Sequence, residues 1–97
     1  MNIIVRNQAN VSNKYIRFIK WKLYGLKQKF NQLIYAEVFL KSEGKTPKVY
    51  LVNIKLGIPG QDLFLKNKSE NIGELLNSLN KNAHLRLAQS KPPKKTL

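Results

Sequence analysis

The residues of this sequence most able to take part in chemistry are its lysines and arginines, and they are unevenly distributed along the chain. The 97 residues include 18 Lys and Arg against five Asp and Glu, a formal net charge of +13. One cluster, in residues 12–30, contains no acid and comprises Lys14, Arg17, Lys20, Lys22, Lys27 and Lys29. A second acid-free set closes the chain and comprises Lys81, Arg86, Lys91, Lys94 and Lys95. Such clusters neutralise phosphates and release their counterions, so we expect a polyanionic partner, above all nucleic acid.

The same residues give no support to enzyme chemistry. There is no cysteine, which excludes thiolate nucleophiles and thiolate metal sites. His84 is the one histidine, and the five acids are scattered between residues 37 and 74, without metal-ligand or acid–base spacing. We therefore expect no enzyme activity, no cofactor, no metal and no small-molecule substrate. His84 is expected at the surface, in contact with phosphate or water.

Aromatic side chains alternate with the cations of residues 12–30. Tyr15, Phe18, Trp21 and Tyr24 lie off the apolar stripe of that segment. Two interpretations remain open: the rings widen a buried helix face, or they form platforms on which RNA bases stack. Trp21 is the candidate for stacking, which adds binding energy without requiring a particular base sequence.

Residues 12–30 have the periodicity of a helix. Ser12 is placed as an N-cap, and apolar residues follow at steps of three and four. This stripe consists of Ile16, Ile19, Leu23, Leu26 and Phe30. A merely solvated helix face usually mixes acids and bases, because like charges repel. The uniformly positive face therefore favours anion binding, and Lys22 and Lys29 are expected to be exposed on it.

Strand patterns occupy most of the remaining chain. The segments with β-rich or alternating sequence are 3–5, 36–41, 48–57 and 62–66. Pro59-Gly60 predicts a type II turn between the last two of them. Short connections make the last three strands antiparallel. The outward face of the sheet is expected to carry Tyr35, Glu37, Phe39 and Lys41, a mixture that suits solvent or a partner.

A second helix is predicted between Asn71, with Glu74 completing a capping box, and the stop at Pro92-Pro93. The order β-α-β-β-β-α predicts an α+β fold, a four-stranded sheet with two helices packed on one face, like a double-stranded-RNA-binding domain. Residues 1–91 are expected to form a single α+β domain and residues 92–97 a disordered basic tail. The sequence shows neither a signal peptide nor a membrane-length apolar run, which predicts a cytoplasmic protein.

The order of several loose motifs resembles one protein family. Residues 22–30 and 38–41, then the strand–turn–strand segment 52–64, then an apolar helix opening at Ser69-Glu70, are similar to the short ribosome hibernation-promoting factors and ribosome-associated translation inhibitors of bacteria. In this comparison Lys22 falls on a family lysine, and Leu26 and Phe30 fall on packing positions. Gly25 departs from the pattern where the family usually has lysine.

The resemblance implies a function. Such a protein binds the decoding region of the small ribosomal subunit, in the channel between head and body, and blocks mRNA and tRNA in idle, stressed or stationary-phase cells. The rRNA-binding set would be the cations of both clusters together with His84. Longer relatives continue into a dimerising domain, so the short form is not expected to pair ribosomes through a domain of its own.

Two alternatives remain at this point. A general binder of double-stranded RNA would have a related topology and would bind duplexes without the ribosome. A module for anionic membrane surfaces would need the apolar stripe of residues 16–30 to be exposed, in conflict with its use in covering the sheet.

Overall fold

The structure, a computed structural model, describes residues 1–90. Six elements follow one another in the chain: β1 (Asn2–Asn7), α1 (Asn13–Lys29), β2 (Tyr35–Glu43), β3 (Val49–Ile58), β4 (Gln61–Ser69) and α2 (Ile72–Gln89). The predicted order β-α-β-β-β-α is confirmed. The proposed basic tail, Pro92-Pro93 and the cations Lys91, Lys94 and Lys95 lie outside the described residues.

The strands form one mixed sheet in the order β1-β2-β3-β4. β1 pairs parallel to β2, with Val5 opposite Val38, and α1 makes the crossover between them. β2, β3 and β4 pair antiparallel, as predicted, with Val38 opposite Ile54 and Ile54 opposite Leu65. Gly60 in the β3–β4 turn has φ of +85°, the backbone conformation that a type II turn requires and that glycine adopts without strain.

Side-chain caps begin both helices where the sequence predicts them. The Ser12 hydroxyl accepts from the Lys14 N–H at 3.4 Å, and Asn71 Oδ1 accepts from the Glu74 N–H at 3.0 Å. The second half of the capping box is different from the prediction. The Asn71 N–H donates to the Ser69 hydroxyl at 3.1 Å, so serine supplies the contact expected of the Glu74 carboxylate.

The hydrophobic core lies between the two helices and one face of the sheet. α1 buries Ile19, Leu23 and Leu26 of the predicted stripe, and Phe30 is buried directly after its end. α2 packs mainly on β4 and contributes five buried residues: Leu75, Leu76, Leu79, Ala83 and Leu87. No polar or charged side chain is buried in residues 1–90. The apolar faces of both helices are therefore used by the fold, and every cation in this part of the chain remains at least partly accessible.

Candidate nucleic-acid interface

The cations of α1 lie on the helix surface that the core leaves free. Lys14, Arg17, Lys20 and Lys29 are exposed. Lys27 is half-buried, and its Nζ donates to the Asn31 carbonyl oxygen at 2.9 Å, just beyond the helix end. Among the described residues, α1 has no acid in its first turn and forms no ion pair. Its positive field is therefore not neutralised by neighbouring carboxylates.

A shallow groove between α1 and α2 brings predicted residues of both helices together. The walls of this interhelical groove include Trp21, Lys22, Gly25 and Lys29 of α1, and Asn80 and His84 of α2. No carboxylate lines the groove. A Cβ at Gly25 would meet no atom within 4 Å, so the groove is open at that position. The groove combines cations, amide and imidazole groups and an exposed ring, which are groups that bind RNA phosphates and bases.

Lys22 is half-buried, whereas the sequence predicted it to be exposed. Its Nζ lies 5.0 Å from the Trp21 ring centroid and 5.4 Å from that of Phe18, both within cation–π range. The two rings are tilted by 58° with their centroids 6.4 Å apart. These contacts hold the ammonium group at the rim of the groove. Lys29 is exposed, as expected.

Trp21 belongs to the surface. Its side chain is 68% exposed, whereas Phe18 and Tyr15 are half-buried and pack against the core. Of the two interpretations left open by the sequence, widening of the buried face holds for Phe18 and Tyr15. Trp21 and the 52% exposed Tyr24 have free ring surface.

His84 is less free than expected. It is half-buried, and its ring lies edge-on to Phe30, with the ring centroids 5.2 Å apart and an interplanar angle of 76°. The contact crosses from α2 to the end of α1, so it orients the imidazole beside the interhelical groove. This contact was not predictable from the sequence, because it depends on how the two helices are rotated against each other.

The two cations of α2 point away from the interhelical groove. Lys81 is exposed but does not line the interhelical groove. Arg86 is half-buried, and its Nη1 donates to the Phe64 carbonyl oxygen of β4 at 3.3 Å. Arg86 therefore lies on the flank of α2 that faces the sheet edge. The predicted α2 set does not form one surface.

The sheet face opposite the helices carries further functional groups. Tyr35, Glu37, Phe39 and Lys41 lie there as predicted. The hydroxyl of Tyr35 donates to Asp62 at 2.8 Å, which raises the pKa of the phenol above its ordinary value of 10, and Asp62 also pairs with Lys55 at 3.8 Å. The contributions of β1 and β4 to this face were missed, although alternation within each strand could have revealed them.

Comparison with known proteins shows what the fold is similar to. No family model matches the sequence, and no curated protein does. The chain has the fold of a ribosomal subunit interface protein from Coxiella burnetii, with a TM-score of 0.80 and 14% identity over 94% of this chain and 98% of that one. It is also similar to the N-terminal domain of Protein Y from Thermus thermophilus, with a TM-score of 0.72 and 15% identity over 91% and 93% of the two chains. The α+β fold implied by the sequence resemblance is therefore confirmed.

Neither helix in residues 1–90 is both long and apolar enough to cross a membrane.

Proposed function

We propose that this protein is a non-enzymatic, ribosome-binding translation inhibitor that acts as a hibernation factor. The observation that carries the proposal is the acid-free interhelical groove, with Lys22, Lys29 and His84 at its walls, on a fold shared with a ribosomal subunit interface protein. Folds alone do not assign functions, so the charge pattern is essential to the argument. The proposed partner is the rRNA of the small subunit, in the decoding region between head and body, and the proposed location is the cytoplasm.

The proposed contacts are electrostatic. The ammonium groups of α1 bind rRNA phosphates, Lys81 extends the contact, and Trp21 offers a ring for an unpaired base. Arg86 is partly engaged by β4 and makes a smaller contribution. If about five to eight phosphates are neutralised, a plot of the logarithm of the binding constant against the logarithm of the salt concentration has a slope of roughly −4 to −7.

Inhibition then needs no covalent step. A domain lodged in the decoding region occupies the space of mRNA and of the tRNA anticodon stem, so binding of the protein and of these ligands is mutually exclusive. In idle or stressed cells the ligands are scarce and the protein stays bound. When growth resumes, mRNA, tRNA and initiation factors displace it by mass action.

Sucrose-gradient co-sedimentation with purified small subunits and whole ribosomes tests the proposal. We expect near-stoichiometric binding that weakens with salt and is displaced by mRNA with initiator tRNA. Binding that ignores both competitors would contradict occupancy of the decoding region. No binding to subunits, with strong binding to ribosome-free duplex RNA, would favour the general RNA-binding alternative.

The membrane-surface alternative has its own readout in co-sedimentation with anionic lipid vesicles. The fold argues against it, because Ile19, Leu23 and Leu26, which would have to enter the lipid, are buried in the core.

A further inference from the structure

The outer face of the sheet, which faces away from both helices, exposes aromatic rings. Phe39 in the middle of β2 is 37% exposed, and Phe64 on the edge strand β4 is 65% exposed. Tyr35 adds a half-buried ring on the same face. Rings on a sheet with no covering layer lose the benefit of burial in the free protein, so they suggest a surface that is covered by a partner.

Cations surround these rings. The guanidinium carbon of Arg6 lies 5.6 Å from the Phe39 ring centroid, and Lys55 Nζ lies 5.9 Å from that of Phe64. The strand register places Phe39, Asn53 and Lys66 in one row across β2, β3 and β4. The next row toward the β2–β3 connection contains Lys41, Leu51 and Lys68. The rings therefore lie in a positive field.

The acids of this face do not cancel that field. Asp62 lies at one end of the face, where it accepts from the Tyr35 hydroxyl and pairs with Lys55. Glu37 lies in the row of Lys55 and Phe64, and Glu43 lies at the last position of β2, opposite Val49. The rows of Phe39 and of Lys41 contain no acid. The partner best matched to this region is a polyanion that also has flat apolar groups.

We propose that the outer sheet face, and in particular Phe39 and Phe64, binds single-stranded RNA. Unpaired bases stack on the two rings, while Arg6, Lys66 and Lys68 bind the adjacent phosphates. A duplex fits poorly, because its base faces are already stacked inside the helix. This site is separate from the interhelical groove, since the sheet lies between them, and it goes beyond the proposed binding of the small subunit.

The spacing of the rings suits two different bases. Phe39 and Phe64 are separated by two strand spacings and by two residues along the strands, which places their Cα atoms about 12 Å apart. At this backbone spacing each ring can serve a separate base. Asn53 lies beside Phe39 in the row, and its exposed amide can both donate to and accept from a base edge.

Fluorescence anisotropy with a labelled oligouridine tests the site directly. Phe39→Leu with Phe64→Leu keeps apolar side chains on the strands but removes both stacking surfaces. We expect about a tenfold loss of affinity for each ring, roughly 100-fold together, with an unchanged salt slope. Lys66→Gln with Lys68→Gln should instead make the slope shallower by roughly 1.4. Phe39→Tyr with Phe64→Tyr, which keeps both rings, should bind oligouridine as the unmodified protein does.

A groove variant separates this site from the proposed function. Lys22→Gln with Lys29→Gln should weaken binding to small subunits but retain most oligouridine affinity. If neither the unmodified protein nor any variant binds small subunits, the proposed function is contradicted, whereas the oligouridine result is unaffected.

The sheet site would be overturned by oligouridine affinity that is unchanged in the Phe→Leu variant or lost mainly in the groove variant. It would also be overturned by the absence of measurable oligouridine binding at about 0.1 M salt, where counterion release still favours binding, or by tighter binding of a duplex than of oligouridine to the outer face. Circular dichroism of each variant shows that the fold is intact, which is expected because both phenylalanines lie outside the core.

Discussion

Neutralising Lys22 and Lys29 tests whether the interhelical groove binds rRNA. Lys→Gln at both positions keeps similar helix propensity and removes the charge. The matched control is Lys45→Gln with Lys48→Gln, in the connection between β2 and β3 and outside the groove. Each double variant lowers the formal net charge from +13 to +11. Long-range attraction to RNA therefore falls similarly in both, and a difference between them reports local contacts.

The expected magnitude follows from counterion release. Each phosphate contact contributes about 0.7 to 0.9 to the salt slope, so the groove variant should have a slope shallower by roughly 1.4 to 1.8. If the affinities of the variant and the unmodified protein converge near 1 M salt, the variant is about 25- to 60-fold weaker at 0.1 M. The control should stay within a fewfold of the unmodified protein.

The fold should survive the substitution. Lys22 loses its cation–π contact with Trp21, where Nζ lies 5.0 Å from the ring centroid. At an accessible site such a contact contributes about 0.5 to 1 kcal/mol, which is small against a stability of about 5 to 15 kcal/mol. Lys29 makes no side-chain hydrogen bond or ion pair among the described residues. Thermal unfolding followed by circular dichroism checks this expectation.

The assay is a titration of labelled protein with small subunits at several salt concentrations between about 50 and 200 mM, the range over which phosphate contacts dominate affinity. Equal slopes and equal affinities for the groove variant and the control would refute the assignment of the groove. A loss of the same size in both would show that net charge alone governs binding.

Four further predictions follow from individual contacts. Gly25→Lys should steepen the salt slope by about 0.7 to 0.9 in the same titration and raise the unfolding free energy by up to about 1 kcal/mol, because its Cβ meets no neighbour. Leu33→Ala should lower the unfolding free energy by about 2 to 5 kcal/mol in urea denaturation, since Leu33 is fully buried. Asn71→Ala should lower it by about 1 kcal/mol in the same measurement, through loss of the α2 cap. Asp62→Ala should lower the pKa of Tyr35 by removing the acceptor of its hydroxyl, and an NMR pH titration of the Tyr35 ring measures this. In the unmodified protein, the stability that the Tyr35–Asp62 hydrogen bond contributes is present below about pH 10. It is lost as pH rises through the raised pKa of Tyr35.

The elements were predictable because their signals are local. Apolar residues at steps of three and four from Ile16 to Phe30 predicted α1, and the caps at Ser12 and Asn71 predicted where the two helices begin. The structure confirms both predictions. The extent of β4 was not predictable in the same way. Its last residues up to Ser69 are mostly polar, and they are strand because they pair with β3, with Ser69 opposite Tyr50. Pairing of this kind depends on a partner distant in sequence.

The candidate site was predictable in composition but not in arrangement. The sequence identified the acid-free cations of α1, which are at least partly accessible. It did not show that His84 turns toward Phe30 while Arg86, two residues later, turns toward Phe64 of β4. Two residues correspond to about 200° around a helix, so the two side chains must leave α2 on different sides. Which side faces α1 is decided by the packing of Leu79, Ala83 and Leu87 against the core.

The electrostatics of α1 are unfavourable for the helix itself, and that argues for a functional origin. Its first turn holds Lys14 and no acid, although the N-terminal end of a helix dipole favours negative charge. The same chain places Glu74 in the first turn of α2, where the rule is obeyed. Lys27 and Lys29 lie in the last turn of α1, where positive charge interacts favourably with the helix dipole. Selection for stability alone would therefore replace cations only in the N-terminal half of the helix. Buried Ile19, Leu23 and Leu26 stabilise the helix well enough to tolerate this repulsion. The first turn of α1 thus departs from the preference of helix N-termini for negative charge, with no structural gain. Such departures are expected where function determines the sequence. Here the departure indicates a surface whose repulsion is relieved when an anionic partner binds.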